Sequence, residues 1–375
     1  MFLSASVGVG HSSAANAVCA ALDDIVPGSQ TLVVDSYRYA ALVVSRVVSN
    51  GYLQMVKTIP QMYRYLYDRA ERATEVGPFR TWAHQFTAAN LHVLIERERP
   101  DVVVCTHAFP CGAMAEYKAA YADAPPVVGI VTDFAVHGYW VHGNVDGYAV
   151  ATEAMRAALI ARGVPAERIL TSGIPVHPRF SRNGESKDEL RRRLGLPEDG
   201  PVVLLMGGGL GIGPLERMMR ALEHLETQVS AVAIAGRNGR TERRARGVAQ
   251  RLGLPVKVLG FVENVYDYMH ACDVLVTKPG GLTAAEALVA GLPMVLCRPL
   301  PGQEERNSRF LVEGECAVRV RRLEELPGAL SAVLSDPDRR ARMRAAAAAL
   351  GRPHAAREVG ALIARLARVQ EEDVA

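Results

Sequence analysis

Two groups of residues in this chain have the types and spacing to do chemistry. The first lies between Val274 and Leu300, in VLVTKPGGLTAAEALVAGLPMVLCRPL. Val274 to Thr277 reads as a buried strand, Pro279, Gly280 and Gly281 as a turn, and Leu282–Thr283 as a helix start. That order gathers unpaired backbone N–H groups at one point, where the helix dipole adds partial positive charge. Phosphate or diphosphate is the matching ligand. Thr283 adds a hydroxyl there, and Glu286 sits about one helical turn further on. A carboxylate at that distance disfavours the phosphates but accepts two hydrogen bonds from a ribose diol beyond them. The stretch reads as a site for a nucleotide-diphosphate sugar, with an ordinary capped turn as the purely structural alternative.

The second group is imidazole-rich. Leu3 to Val7 reads as a strand, followed by GVGH and an Ala-rich helical run. Gly8 and Gly10 suit a tight turn, His11 stands at the helix entrance, and Ser12 and Ser13 are candidate caps. DVVVCTHAF puts Thr106 and His107 at the end of another strand. PPVVGIVTDFAVHGYW does the same with Asp133, His137 and Trp140. Polar residues at the carboxyl ends of successive parallel strands converge on one crevice. An imidazole there can act as a base near neutral pH. His11 is the first candidate and Asp133 the second, with capping the alternative for His11 and loop-holding for His107. No spacing of the HExxH kind occurs, so no metal is expected.

These groups must be positioned by β/α units, and both halves of the chain alternate accordingly. In the second half VVLLMGGGLGIGPLERMMRAL is a strand, glycine loop and helix, and SAVAIAGRNGR ends a strand in Arg237 and Asn238. GGGLGIG resembles a dinucleotide fingerprint, but that fingerprint asks for an acidic residue at the end of the next strand, where GRNGR is basic. No GK[ST] follows the glycines, which removes a P-loop. DPD at 336–338 lacks a preceding strand and reads as a helix cap. PRFSRNGESKDELRRRLGLPEDG is polar and Pro/Gly-punctuated, and reads as a linker. The expected fold is α/β, two doubly wound, Rossmann-like domains facing across a cleft. Their expected bounds are 1–180 and 181–350, with 351–375 a final helix returning to the first domain.

Composition fits that architecture. The chain has 375 residues, 49% hydrophobic and 22% charged, enough for two globular domains. A net charge of +3 is too mild for a nucleic-acid partner. The six cysteines show no CxxC pair and read as buried thiols in a reducing compartment. The N-terminus lacks a basic start, so it reads as a strand and not a signal peptide. No apolar run is long enough to span a membrane. Residues 37–80 interleave tyrosines with Arg and Lys among aliphatic residues. That texture suits either helices lying on an anionic membrane surface or amphipathic helices covering a core.

Taken in order, SASVGVGH, VCTHAFP, VVGIVTDFAVHGYW, TSGIPVHPRF, GGGLG, AGRN, GFVENVYDYM, KPGGLTAAEAL and PLPGQEERN resemble one family over nearly the whole chain. It is the monogalactosyldiacylglycerol synthase and processive diacylglycerol glucosyltransferase family, of glycosyltransferase family 28 and the GT-B fold. The resemblance implies an inverting transfer of a hexose from a UDP-sugar to diacylglycerol, without a metal cofactor, on the cytoplasmic membrane face. It implies a donor site in which Phe261 and Val262 hold uracil through their backbone and Glu286 takes the ribose. Gly281, Leu282 and Thr283 would hold the diphosphate, and Gln303 and Glu304 the sugar hydroxyls. Arg237 and Asn238 join that donor set. Gly208 and Gly209 would close around the reacting centre opposite Gly10 and His11, with His107, His137 and Trp140 on the acceptor side. The 37–80 segment matches loosely, so the lipid acceptor is less specified than the donor. Rival readings are another lipid such as a polyprenyl carrier, a UDP-sugar 2-epimerase, and a non-catalytic UDP-sugar binder.

Overall fold

The computed structural model describes residues 1–5, 9–39, 78–181, 184–209, 211, 213–300 and 302–367. Gly8 and most of the Tyr/Arg-rich 37–80 segment lie outside the described residues. The chain divides into two compact units. One comprises Met1–Pro178, Pro301–Gln303 and His354–Ala375, and the other Arg179–Leu300 and Glu304–Pro353.

The first unit is built on a six-stranded sheet in the order β2-β1-β3-β4-β5-β6, parallel throughout. Its strands are β1 Phe2–Ser4, β2 Val33–Asp35, β3 Val103–Cys105, β4 Val127–Ile130, β5 Gly147–Val150 and β6 Ile169–Thr171. β3, β4 and β5 are buried along their whole length, as expected for central parallel strands covered on both faces. Helix Ala355–Leu366 packs its Val359, Leu362 and Ile363 into the same core as Phe2, Val18 and Leu22. Gly360 lets it approach helix Val9–Ile25: a Cβ there would lie 2.8 Å from Ile25 Cδ1.

The second unit repeats the plan with the order β12-β11-β10-β7-β8-β9, again parallel. Here the strands are β7 Val202–Met206, β8 Ser230–Ile234, β9 Val256–Leu259, β10 Val274–Thr277, β11 Met294–Cys297 and β12 Ala317–Val320. The VVLLM, VLVT and MVLC runs are fully buried. Asp336 accepts a hydrogen bond from the Arg339 amide at 2.8 Å and caps helix Pro337–Leu350, so DPD is a cap.

The supposed linker is structured. Ser186 and Glu189 form a reciprocal capping box, helix Lys187–Leu194 follows, and Gly195 closes it at φ +63°. Arg191, nearly fully buried, donates to the carbonyls of Ala271, Glu198 and Gly200 and to Asp273 Oδ2 at 2.7 Å. Asp273 also accepts from the Val202 amide at 2.8 Å and pairs with Lys187. Burial opposes ionisation of Asp273, but these donors outweigh it and hold its carboxyl below the ordinary value. Asp273→Ala leaves Arg191 buried without its counter-charge. It should cost about 3–5 kcal/mol in chemical denaturation at pH 7.

Candidate active site

In each sheet the chain leaves its first strand to one side and returns on the other. In the second unit that strand is β7, flanked by β8 and β10. Ligands of open α/β sheets bind at such a switch point, beyond the carboxyl ends. Met206 pairs with Thr277, so Gly207–Gly208 and Lys278–Pro279–Gly280 emerge side by side.

Gly208 adopts φ +83°, and a Cβ on it would stand 2.8 Å from Lys278 Cε. Both backbone geometry and space therefore demand glycine there. Gly209 accepts from the Arg237 amide at 3.1 Å. Helix Gly281–Val289 starts beside these residues with Gly280 at its N-cap, and no side chain caps it. The amides of Gly281, Leu282 and Thr283 thus meet at an open helix N-terminus. Asn307 Nδ2 donates to the Pro279 carbonyl at 3.1 Å and fixes the turn from behind.

Glu286 follows on the same helix, half-buried and without a hydrogen-bond or ion-pair partner among the described residues. Burial alone pushes its carboxyl up to about 8. Arg237 lies with its guanidinium 4.3 Å from the centroid of the Phe261 ring, a cation–π pair on an aromatic that is 44% exposed. Val262 is half-buried next to it.

Two expected donor ligands are occupied within the protein. Asn238 accepts from the Arg240 and Thr241 amides, both at 3.1 Å, and donates to Gly211 O, so it caps helix Gly239–Ala249. Glu304, 8% exposed, accepts from Lys278 Nζ at 2.5 Å through Oε1 and from the Leu300 amide at 2.8 Å through Oε2. Gln303, half-buried, opens helix Gln303–Glu313.

The first unit has its switch point between β1 and β3, and His11 and His107 stand there. Their rings meet edge to face with centroids 4.8 Å apart. His11 Nδ1 lies 2.8 Å from Thr106 O and 3.0 Å from Thr132 Oγ1. A carbonyl only accepts, so Nδ1 carries the proton and Nε2 presents its lone pair. Burial lowers the pKa of His11 despite the Thr106 bond, which keeps it neutral at pH 7. His107 is lowered further, by burial and then by His11 and His137. Its Nδ1 accepts from the Phe109 amide at 3.1 Å, so His107 caps helix Ala108–Ala120.

Several details depart from expectation. Gly10 lies in the first turn of helix Val9–Ile25, which begins two residues before His11. Ser12 is therefore inside the helix, and its hydroxyl meets Ser4 Oγ at 3.1 Å. Trp140 is buried, its carbonyl accepting from Tyr148 Oη at 2.7 Å, so it packs the loop instead of lining a cleft. His137 is buried beside it, with Tyr139 edge-on at 5.4 Å. Asp133 is half-buried directly after Thr132. The sequence alone does not mark Lys278, Thr132 or Asn307 as site residues. Lys278 had one signal, a cation interrupting the strand–turn junction.

The chain matches the family model of monogalactosyldiacylglycerol (MGDG) synthase over residues 11–176 and that of group 1 glycosyl transferases over 186–350. It is 30% identical to the processive diacylglycerol beta-glucosyltransferase of Bacillus subtilis, across 92% of this chain and 89% of that protein. Among solved structures, MurG of Acinetobacter baumannii superposes with a TM-score of 0.62 at 16% identity, covering 97% of this chain and 98% of that one. Anabaena HepE, solved with UDP-glucose, superposes with a TM-score of 0.56 at 17% identity, covering 99% and 98%. The two-unit GT-B architecture expected from sequence is the observed one.

An unpartnered carboxyl held near 8 has a cost that titrates. Its folded-state pKa lies above the ordinary 4.5, so the folded protein keeps a proton that the unfolded chain has lost. The penalty grows as pH rises from about 4.5 and is complete above about 8. Glu286→Gln should match the parent near pH 4 and exceed it by roughly 2–4 kcal/mol at pH 8.5, read from paired denaturant melts.

Proposed function

Because the chain belongs to the family of the processive diacylglycerol β-glucosyltransferases, we propose that it is a hexosyltransferase that moves a sugar from a UDP-sugar to diacylglycerol, with inversion. The observation that carries this reading is the open N-terminus of helix Gly281–Val289 with Glu286, unpartnered among the described residues, one turn along. Amide dipoles meet the diphosphate of UDP, and Glu286, protonated in the free protein at pH 7, ionises as the two hydroxyls of the ribose diol donate to it. The backbone at Phe261 and Val262 holds uracil, with Arg237 over the exposed ring as its flank. Gln303 binds the donor sugar.

The acceptor hydroxyl attacks the anomeric carbon. As that C–O bond forms, the bond to the β-phosphate oxygen breaks, its electron pair leaves with UDP, and the hydroxyl proton passes to His11 Nε2. A neutral imidazole with a fixed tautomer suits that step. Charge on the departing UDP is met by preorganised amides in place of a divalent cation. His107 acts by capping its helix and flanking His11. The lipid acceptor puts the reaction on a membrane surface, anionic and on the cytoplasmic side. Among the described residues no helix is long and apolar enough to cross a bilayer, consistent with peripheral binding.

The test is UDP release with vesicles of diacylglycerol and anionic lipid, offering UDP-glucose, UDP-galactose and UDP-N-acetylglucosamine separately, with mass analysis of the lipid. Glycosyldiacylglycerol formation is the expected result. UDP-N-acetylglucosamine turnover without any acceptor would instead mark an epimerase, and UDP binding without release a sensor. His11→Ala should lower turnover by roughly 10²–10⁴-fold with UDP affinity unchanged. The acid limb of the wild-type rate profile should fall below pH 6.5, the ordinary histidine value, because burial lowers His11.

A further inference from the structure

We propose that Lys278 is a diphosphate ligand of the donor site and that Glu304 is the residue that positions it. This rests on the donor-site reading above and names a contact that reading does not contain.

Four observations carry it. Lys278 directly follows β10, in register with the glycine turn that follows β7, so it stands at the switch point of the second sheet. Its stem crosses Gly208 closely enough that a Cβ would collide with Cε. Its ammonium is anchored by Glu304, whose other oxygen is tied to the Leu300 amide. Among the described residues Glu304 is the acceptor that Lys278 meets, and an ammonium has three protons to donate. Two of those protons therefore have no acceptor among the described residues, while the side chain stays 28% open to solvent.

Such an arrangement is poor economy for a structural ion pair. A partly desolvated pair gains little net stability, and its cation is usually satisfied by further carbonyls. Here the remaining donors stand two residues from the uncapped helix N-terminus. A ligand that satisfies the amides and the ammonium together carries several anionic oxygens. Diphosphate fits, and its charge grows by one when the glycosidic bond breaks, so the cation is worth more to the leaving group than to the bound donor. Glu304 keeps the long side chain in one place, which lowers the entropy lost on binding.

The experiment compares UDP with uridine, by calorimetry or saturation-transfer NMR, on the full chain. Lys278→Met should weaken UDP by about 10- to 100-fold, the value of one charged hydrogen bond, and leave uridine unchanged. Glu304→Gln should weaken UDP by a smaller factor, and Lys278→Arg should restore part of the loss. Retained uridine binding certifies that each variant is folded. Equal loss of UDP and uridine in Lys278→Met, or undiminished UDP affinity, overturns the assignment. A wild-type protein that binds neither would instead overturn the donor-site reading itself.

Discussion

The molecule depends on one constraint: in a parallel sheet, neighbouring strands that diverge at a switch point leave their carboxyl ends uncovered. Backbone carbonyls and amides there cannot all be paired within the sheet, so turns, helix starts and side chains must meet them. The first unit meets them with imidazole and threonine, the second with glycine, lysine and an open helix N-terminus. The strand orders differ, but each sheet has a switch point beside its first strand, between β1 and β3 and between β7 and β10, so the same geometric opportunity arises twice. What differs is electrostatic. One switch point holds neutral bases kept uncharged by burial, and the other holds donors suited to an anion.

That division suits the chemistry of glycosyl transfer. A proton must be taken from an uncharged hydroxyl, which a neutral imidazole does without first losing a proton itself. A diphosphate must leave with more charge than it had, which fixed dipoles accommodate without reorganising. In the proposed reading the two tasks fall on different sheets, each with its own dielectric surroundings. An ammonium beside His11 would depress its basicity, and a second carboxylate beside the Gly281–Thr283 amides would repel the phosphates.

Much of this is legible in the amino-acid sequence alone. The VLVT–KPGG–LTAAEA order dictates strand, turn and helix start, and the positions of His11 and His107 beyond β1 and β3 follow from the apolar runs that precede them. Three things are not. Lys278 and Glu304 lie 26 residues apart, and only the fold brings them together. Asn238 at a strand end looks the same in sequence whether it caps a helix or binds a ligand, and only hydrogen-bond geometry separates the two. The polar stretch before β7 carries a Ser186-x-x-Glu189 capping box that was readable, but the run of arginines after it resembles a solvated linker. Its burial becomes visible only once Asp273 is seen to receive Lys187 and Arg191.

The clearest mark of function is a local contradiction. Helix Gly281–Val289 buries Ala284, Ala285, Ala287 and Leu288, and a helix of that character asks for another small apolar residue at position 286. It has a carboxyl group with no partner among the described residues. Among the described residues nothing rewards Glu286, and burial penalises its ionised form. Lys278 presents the same anomaly with the opposite charge, held in place yet with donors to spare. A sequence optimised only for folding would have removed both. Their coexistence a few residues apart, one suited to a diol and the other to phosphate, matches a single molecule carrying both groups in that order.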